Sequence, residues 1–363
     1  MFELTNDQRK CFALPPVLDT WKKVKVKPGP YNRYSTYAFL DGTKIMKIIS
    51  FCDEPEIEMY HEYTIDETLT DDKTKILPKT DKGKPQNFTV SNLEKKTRVG
   101  MALYFSGGSI NLTNNSTYQS FYCSVYEGVK IETINDFKKW IEDWCFNTGE
   151  KELKDIDEFA NRTKIHQKFK EGDFFRFRIN RNSFGYGRIL VDYAQMRKKG
   201  ILFWDIFMGK PLCVAAYHIV TEDENITPQQ LIGKKMLPSQ MIMDNIFFYG
   251  ECEIIGTIPL EDNEADFPIH YGKGFSKLSP KTIHYQCGKT LVTLEDGIEL
   301  YSNFRNGCIG FYLNIKLPIL KECIKENSNA PFWNLMPLAY TEEDLRNPKF
   351  HKELSEIKKQ VFG

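Results

Sequence analysis

Gly172-Asp173-Phe174-Phe175-Arg176-Phe177-Arg178-Ile179, followed by Asn180-Arg181-Asn182-Ser183 and then Phe184-Gly185-Tyr186-Gly187-Arg188-Ile189-Leu190, is the stretch on which the fold of this chain turns. Phe175, Phe177 and Ile179 alternate with Arg176 and Arg178, the period of two that marks a β-strand. The polar run 180–183 is turn chemistry, and residues 186–193 run back as a second strand. Gly185 and Gly187 flank Tyr186 between strands and lack a third glycine. They therefore read as a device for close backbone approach, not as a phosphate loop.

Downstream the same β texture continues. Residues 201–208 and 212–220 flank Gly209-Lys210 as a hairpin, and Thr227-Pro228 opens a short helix with proline at its first position. Further strands are predicted at 245–249, 252–257, 290–293 and 308–314. Short strands separated by turns predict a barrel-like or strongly bent antiparallel sheet. The last residues predict one helix from Thr341 and another carrying Leu354, Ile357 and Val361.

Upstream the texture differs. Residues 150–170 are highly charged, with a weak helix carrying Leu153, Ile156 and Phe159, and the fall in apolar density marks a domain boundary. Before it, Thr133 caps a helix whose Phe137, Trp140, Ile141, Trp144 and Cys145 form a core-facing stripe. Strands are predicted at 21–26, 58–65 and 119–126, with a hairpin of 34–39 and 44–49 around Asp41-Gly42. Gly107-Gly108 is a turn, and 71–86 is a loop or solvated hairpin. The expected architecture is an α+β domain over 1–150, a mostly antiparallel β domain over 165–316 and a helical tail over 317–363.

Composition narrows the function. Lys+Arg and Asp+Glu are equal at 49 each, which argues against a polyanion-coating protein and against an acidic decoy. Nine cysteines lie scattered with no CxxC pair, as expected of reduced thiols in a cytoplasm. The first residues lack a secretory signal, and the longest apolar stretch, around 211–220, is too short to span a bilayer.

The chemistry of sites is sparse. None of the six histidines stands at metal-ligand spacing. His218 lies in an apolar run and reads as a core or edge histidine. His270 and His284, near Asp266 and Cys287, could assemble a nucleophile–base pair, although such pairs are defined by geometry rather than by proximity in sequence. Gly288-Lys289-Thr290 ends like a phosphate loop, but Ile283 stands where the first glycine is required. No catalytic residue, metal site or cofactor is predicted.

The hairpin carries the sharper candidate. Arg176, Arg178, Arg181 and Arg188 lie among Phe174, Phe184 and Tyr186. Such residues anchor protein interfaces and also stack on bases, while the plainer reading is a solvated face paired with local carboxylates. The neutral chain disfavours nucleic acid. Arg176, Phe184, Tyr186 and Arg188 are the candidate partner-binding anchors, provided that they face outward.

These two strands resemble the opening of the immunity protein 26 family, which begins with Gly-Asp and an alternating strand and returns through Gly-x-Gly-Arg. The later segments Glu253-Ile254-Ile255-Gly256-Thr257-Ile258-Pro259-Leu260 and Phe267-Pro268-Ile269 are similar to that family as well. The likeness spans residues 168–316. It implies a mostly β protein, encoded beside a bacterial polymorphic toxin, that binds and neutralises the cognate toxin and has no catalytic residues to carry over. A hydrolase or toxin-modifying enzyme, and a nucleic-acid-binding β module, are the alternatives.

Overall fold

A computed structural model describes residues 2–30, 32–200, 210–261, 267–273, 283–294, 317, 319–329 and 344–363. They divide into two compact units, Met1–Ile165 and His166–Gly363. The expected strands at 201–208 and 308–314 and the start of the helix from Thr341 lie outside the described residues.

The first unit is built on one antiparallel sheet. Its strands are β1 (Lys22–Lys25), β2 (Ser35–Asp41), β3 (Lys44–Cys52), β4 (Met59–Ile65), β5 (Glu67–Thr68), β6 (Lys75–Ile76), β7 (Gln86–Asn87), β8 (Arg98–Ser106), β9 (Ser109–Asn114) and β10 (Gln119–Cys123). The order is β1-β2-β3-β4-β8-β9-β10, with β5 also on β3, while β6 and β7 form a separate two-residue ladder. Helices α1 (Asn6–Lys10), α4 (Ile134–Phe146) and α5 (Glu150–Ala160) cover one face. Short α2 (Val90–Leu93) and the 69–88 segment cover the other. A one-turn helix, α3 (Ser124–Glu127), ends β10 three residues earlier than the pattern predicts, where Ser124 Oγ accepts the Ile110 amide at 2.9 Å.

Helix α4 starts where its cap dictates. Thr133 Oγ1 accepts the Asp136 amide at 3.1 Å, and Asp136 accepts the Thr133 amide at 2.9 Å, satisfying two N–H groups that lack intrahelical partners. Spacing then sends Phe137, Ile141 and Trp144 inward. The Phe137 ring stacks on Phe105 of β8 at 4.9 Å, which ties helix to sheet.

In the second unit the strands β11 (Asp173–Arg178), β12 (Phe184–Asp192), β13 (Pro211–Thr221), β14 (Gln240–Met243) and β15 (Glu253–Thr257) form one sheet of order β14-β13-β12-β11-β15. Among the described residues it is open, and its strands run antiparallel. Register shifts along β11–β15 and β12–β13 bend it. Helices α6 (Tyr193–Lys198), α7 (Pro228–Leu231) and α8 (Asn245–Phe248) flank it. Residues 245–249, expected as a strand, are this last helix instead. Asp244 O accepts both the Phe247 and Phe248 amides, and Phe247 packs edge-on against Phe175 at 4.9 Å. A short apolar run has no period of its own, so tertiary packing decides it.

Strands β16 (Ile269–Lys273), β17 (Ile283–Cys287) and β18 (Thr290–Leu294) make a three-stranded sheet. After α9 (Lys321–Ile324), the C-terminal helix α10 (His351–Phe362) lays Ile357 and Val361 against Tyr271, Ile283 and Tyr285. Three strands alone bury little apolar surface, so this helix supplies the second layer of a small core. Replacing Ile357 with alanine should destabilise the second unit by about 3 kcal/mol, measured by denaturant unfolding. An unchanged midpoint would show that the sheet stands without its helix.

Candidate functional site

The β11–β12 register sorts the hairpin's side chains by face. Phe174 pairs with Arg188, Arg176 with Tyr186 and Arg178 with Phe184 on one side, while Phe175 pairs with Gly187 and Phe177 with Gly185 on the other. The second set explains the glycines. A Cβ on Gly185 would stand 2.4 Å from the Phe177 ring, and one on Gly187 would stand 2.3 Å from the Phe175 ring and 2.7 Å from Ala215 O. Phe175 and Phe177 of β11 thus each lie over a bare backbone position of β12.

The Gly-Asp opening is structural in the same way. Gly172 has φ +86, and a Cβ there would meet Ile258 O at 2.5 Å. Asp173 is buried and accepts the Lys170 amide at 2.7 Å and the Thr257 hydroxyl. These bonds join the strand's start to the 253–260 segment, so two motifs far apart in sequence hold one corner of the sheet.

Among the four anchor candidates, Tyr186 and Arg188 are 0% exposed and Phe184 is buried. Tyr186 donates its hydroxyl to Asp223 O at 2.6 Å, and burial raises its phenol above the ordinary value. The Arg188 guanidinium lies 4.5 Å over the Phe174 ring and donates to Ile258 O at 2.7 Å and Pro259 O at 3.0 Å. Outward orientation holds only for Arg176, whose side chain is 17% exposed. It donates to Glu224 O at 2.6 Å and pairs with the Glu224 and Glu253 carboxylates. Arg176 and Arg178 also lie 5.0 Å and 4.8 Å from the Phe184 ring centre. The carboxylate partners come from beyond β13 and from β15. No local sequence signal marks them.

The other candidates separate in space. His284 and Cys287 stand three apart on β17 and so project to opposite faces. His284 Nδ1 lies 3.2 Å from Thr293 Oγ1, and burial draws its pKa below the ordinary imidazole value. The register sets His270 opposite Gln286, and Asp266 lies outside the described residues. His218 is drawn down by burial, while its bond to the backbone of Lys325 works the other way. Gly288-Lys289 is the turn between β17 and β18, with Lys289 paired to Glu171 at 2.6 Å. Among the described residues no three His, Cys, Asp or Glu side chains are grouped to hold a metal.

The first unit has a groove of about 700 Å³ between the residues after α1 and α5, with Leu14, Pro15 and Ile156 in its wall. The side-chain amide groups of Asn6 and Asn161 on its rim already donate to Val17 O and Asp157 O. The groove therefore presents mainly apolar surface.

No curated protein and no solved structure matches the chain. Residues 170–279, which carry the bent sheet and its Gly-Asp and Gly-x-Gly-Arg segments, match the model of the immunity protein 26 family.

Proposed function

We propose that this protein binds a cognate toxin of a bacterial polymorphic toxin system and neutralises it in the cytoplasm. The observation that carries the reading is the match of residues 170–279 to an immunity protein family, laid over the sheet from β11 to β15. Neutralisation needs only a complementary surface over the toxin's working site, on the order of 1,600 Å² in total with a few dominant anchors. Within the hairpin the anchor is Arg176, which lies over the Phe184 ring and opposite Tyr186, while Arg188 is held inside by Phe174, Ile258 and Pro259. The Arg176 guanidinium is already oriented by Glu224 and Glu253, so little side-chain freedom is lost on binding.

Co-expression with the toxin encoded beside it should protect cells, and the two proteins should co-purify as a stoichiometric complex. Arg176→Glu should weaken that complex by about 2 kcal/mol, roughly thirtyfold in Kd, measured well below the melting temperature, which the third carboxylate beside Glu224 and Glu253 should also lower. A toxin that kills regardless and forms no complex would remove the immunity reading. Full protection by Arg176→Glu would move the interface elsewhere on the domain.

A further inference from the structure

On the first unit, β4 and β8 pair so that Ile65 faces Arg98 and His61 faces Tyr104. This register assembles a surface from residues distant in sequence. The Arg98 guanidinium lies 4.3 Å from the Tyr63 ring centre and 5.1 Å from that of Tyr104. The two rings are themselves stacked at 6.4 Å, and the His61 ring stands edge-on to Tyr104 at 5.2 Å. Asn115 Nδ2 donates to the Tyr104 hydroxyl at 3.3 Å and holds that ring in place. Tyr63 is buried, while Arg98, Tyr104 and His61 are half-buried and reach the surface.

The carboxylates near this end of β8 have other partners. Glu67 takes Lys79 and Lys96 at 3.5 and 3.4 Å, and Glu94 accepts the Tyr34 hydroxyl. Among the described residues Arg98 has rings against it and no carboxylate. A guanidinium stacked on aromatic faces keeps its in-plane N–H donors available, in the fork that matches an oxyanion. Held this way, it loses little freedom when it binds.

We infer that Arg98, held by Tyr63 and Tyr104, receives an acidic side chain of a partner protein in a bidentate pair. The charge of the surroundings selects a carboxylate over a phosphate. Burial holds the Tyr63 phenol up at about 12, and burial together with Arg98 holds His61 down at about 4, so both are neutral near pH 7. One positive charge therefore faces the ligand, which matches the single charge of a carboxylate and leaves the further charge of a phosphate unpaired. Tyrosine and arginine are also the residue types that dominate protein contacts.

The test uses the full chain and needs no toxin, so its failure leaves the immunity reading untouched and the reverse also holds. N-acetyl-glutamic acid amide, as a side-chain mimic, and inorganic phosphate are titrated separately while NMR follows the Arg98 Nε–H and His61 ring signals. The mimic should move both signals saturably, bind more tightly than phosphate, and lose at least about tenfold in affinity in Arg98→Gln. A linear, unsaturating response in the wild type, or tighter binding of phosphate, overturns the proposal. The wild-type titration decides even if the variant fails to fold.

Discussion

Gly187→Ala should cost the second unit about 3 kcal/mol, read as a shift in its denaturant midpoint. The new methyl would stand 2.3 Å from the Phe175 ring and 2.7 Å from Ala215 O. The ring could turn, but the carbonyl belongs to the neighbouring strand and moves only if the β12–β13 pairing opens. Phe175 is fully buried, with Phe247 edge-on against it, so a displaced ring would disturb a second contact. Combining Gly187→Ala with Phe175→Ala separates the two terms. If the ring is the main obstacle, the pair should cost clearly less than the sum of the single variants. Additive costs would assign the clash to the backbone of β13.

The second large effect lies in the first unit. Glu62 of β4 is 0% exposed and sits among Arg9, Lys47 and Tyr60, with Arg9 Nε at 2.8 Å. Glu62→Gln keeps the shape and removes the charge, leaving Arg9 and Lys47 buried without it. The expected loss is about 3–5 kcal/mol. The same residue sets an acid limit. Burial alone would raise its pKa, but Lys47 and Arg9 hold the carboxyl below its ordinary value of 4.5 in the folded state. The unfolded chain therefore takes up this proton first as the pH falls. The stabilisation is complete well above pH 4.5 and disappears as the pH falls toward and through the lower folded value. In wild type the stability of this unit should drop steeply below about pH 4.5, and the Glu62→Gln profile should be flatter there. Parallel profiles would show that other carboxylates govern acid unfolding.

Much of the fold was legible in the chain because alternation and turn chemistry are local. The Asp41-Gly42 hairpin, the capped helix after Thr133 and the β11–β12 hairpin all follow from a few neighbouring residues. What alternation does not tell is which face a second layer covers. The 176–188 arginines and aromatics read as one outward face, yet β12 is buried at every position, with Leu231, Ile226 and Ile258 packed over the Tyr186 side. Those covering residues come from 38 or more positions downstream of Arg188, beyond the reach of a periodicity argument. The ion cluster around Glu62 and the rings around Arg98 escape for the same reason. Each draws its members from separate segments that only strand register brings together.

Gln167 carries a consequence for the edge of the sheet. Its backbone amide donates to Phe248 O at 2.8 Å and its side-chain amide to Phe247 O at 3.0 Å and Cys252 O at 2.8 Å, while its Oε1 accepts the Ile254 amide at 3.1 Å. One residue thus ties the end of α8 to the start of β15, and its Oε1 occupies one amide that a sheet edge otherwise offers to another chain. The family match begins at residue 170, three positions after this clasp. A domain trimmed to that boundary keeps every motif of the hairpin and loses the clasp. Among the described residues, that loss frees one backbone amide of β15, Ile254 N–H, for pairing with another strand.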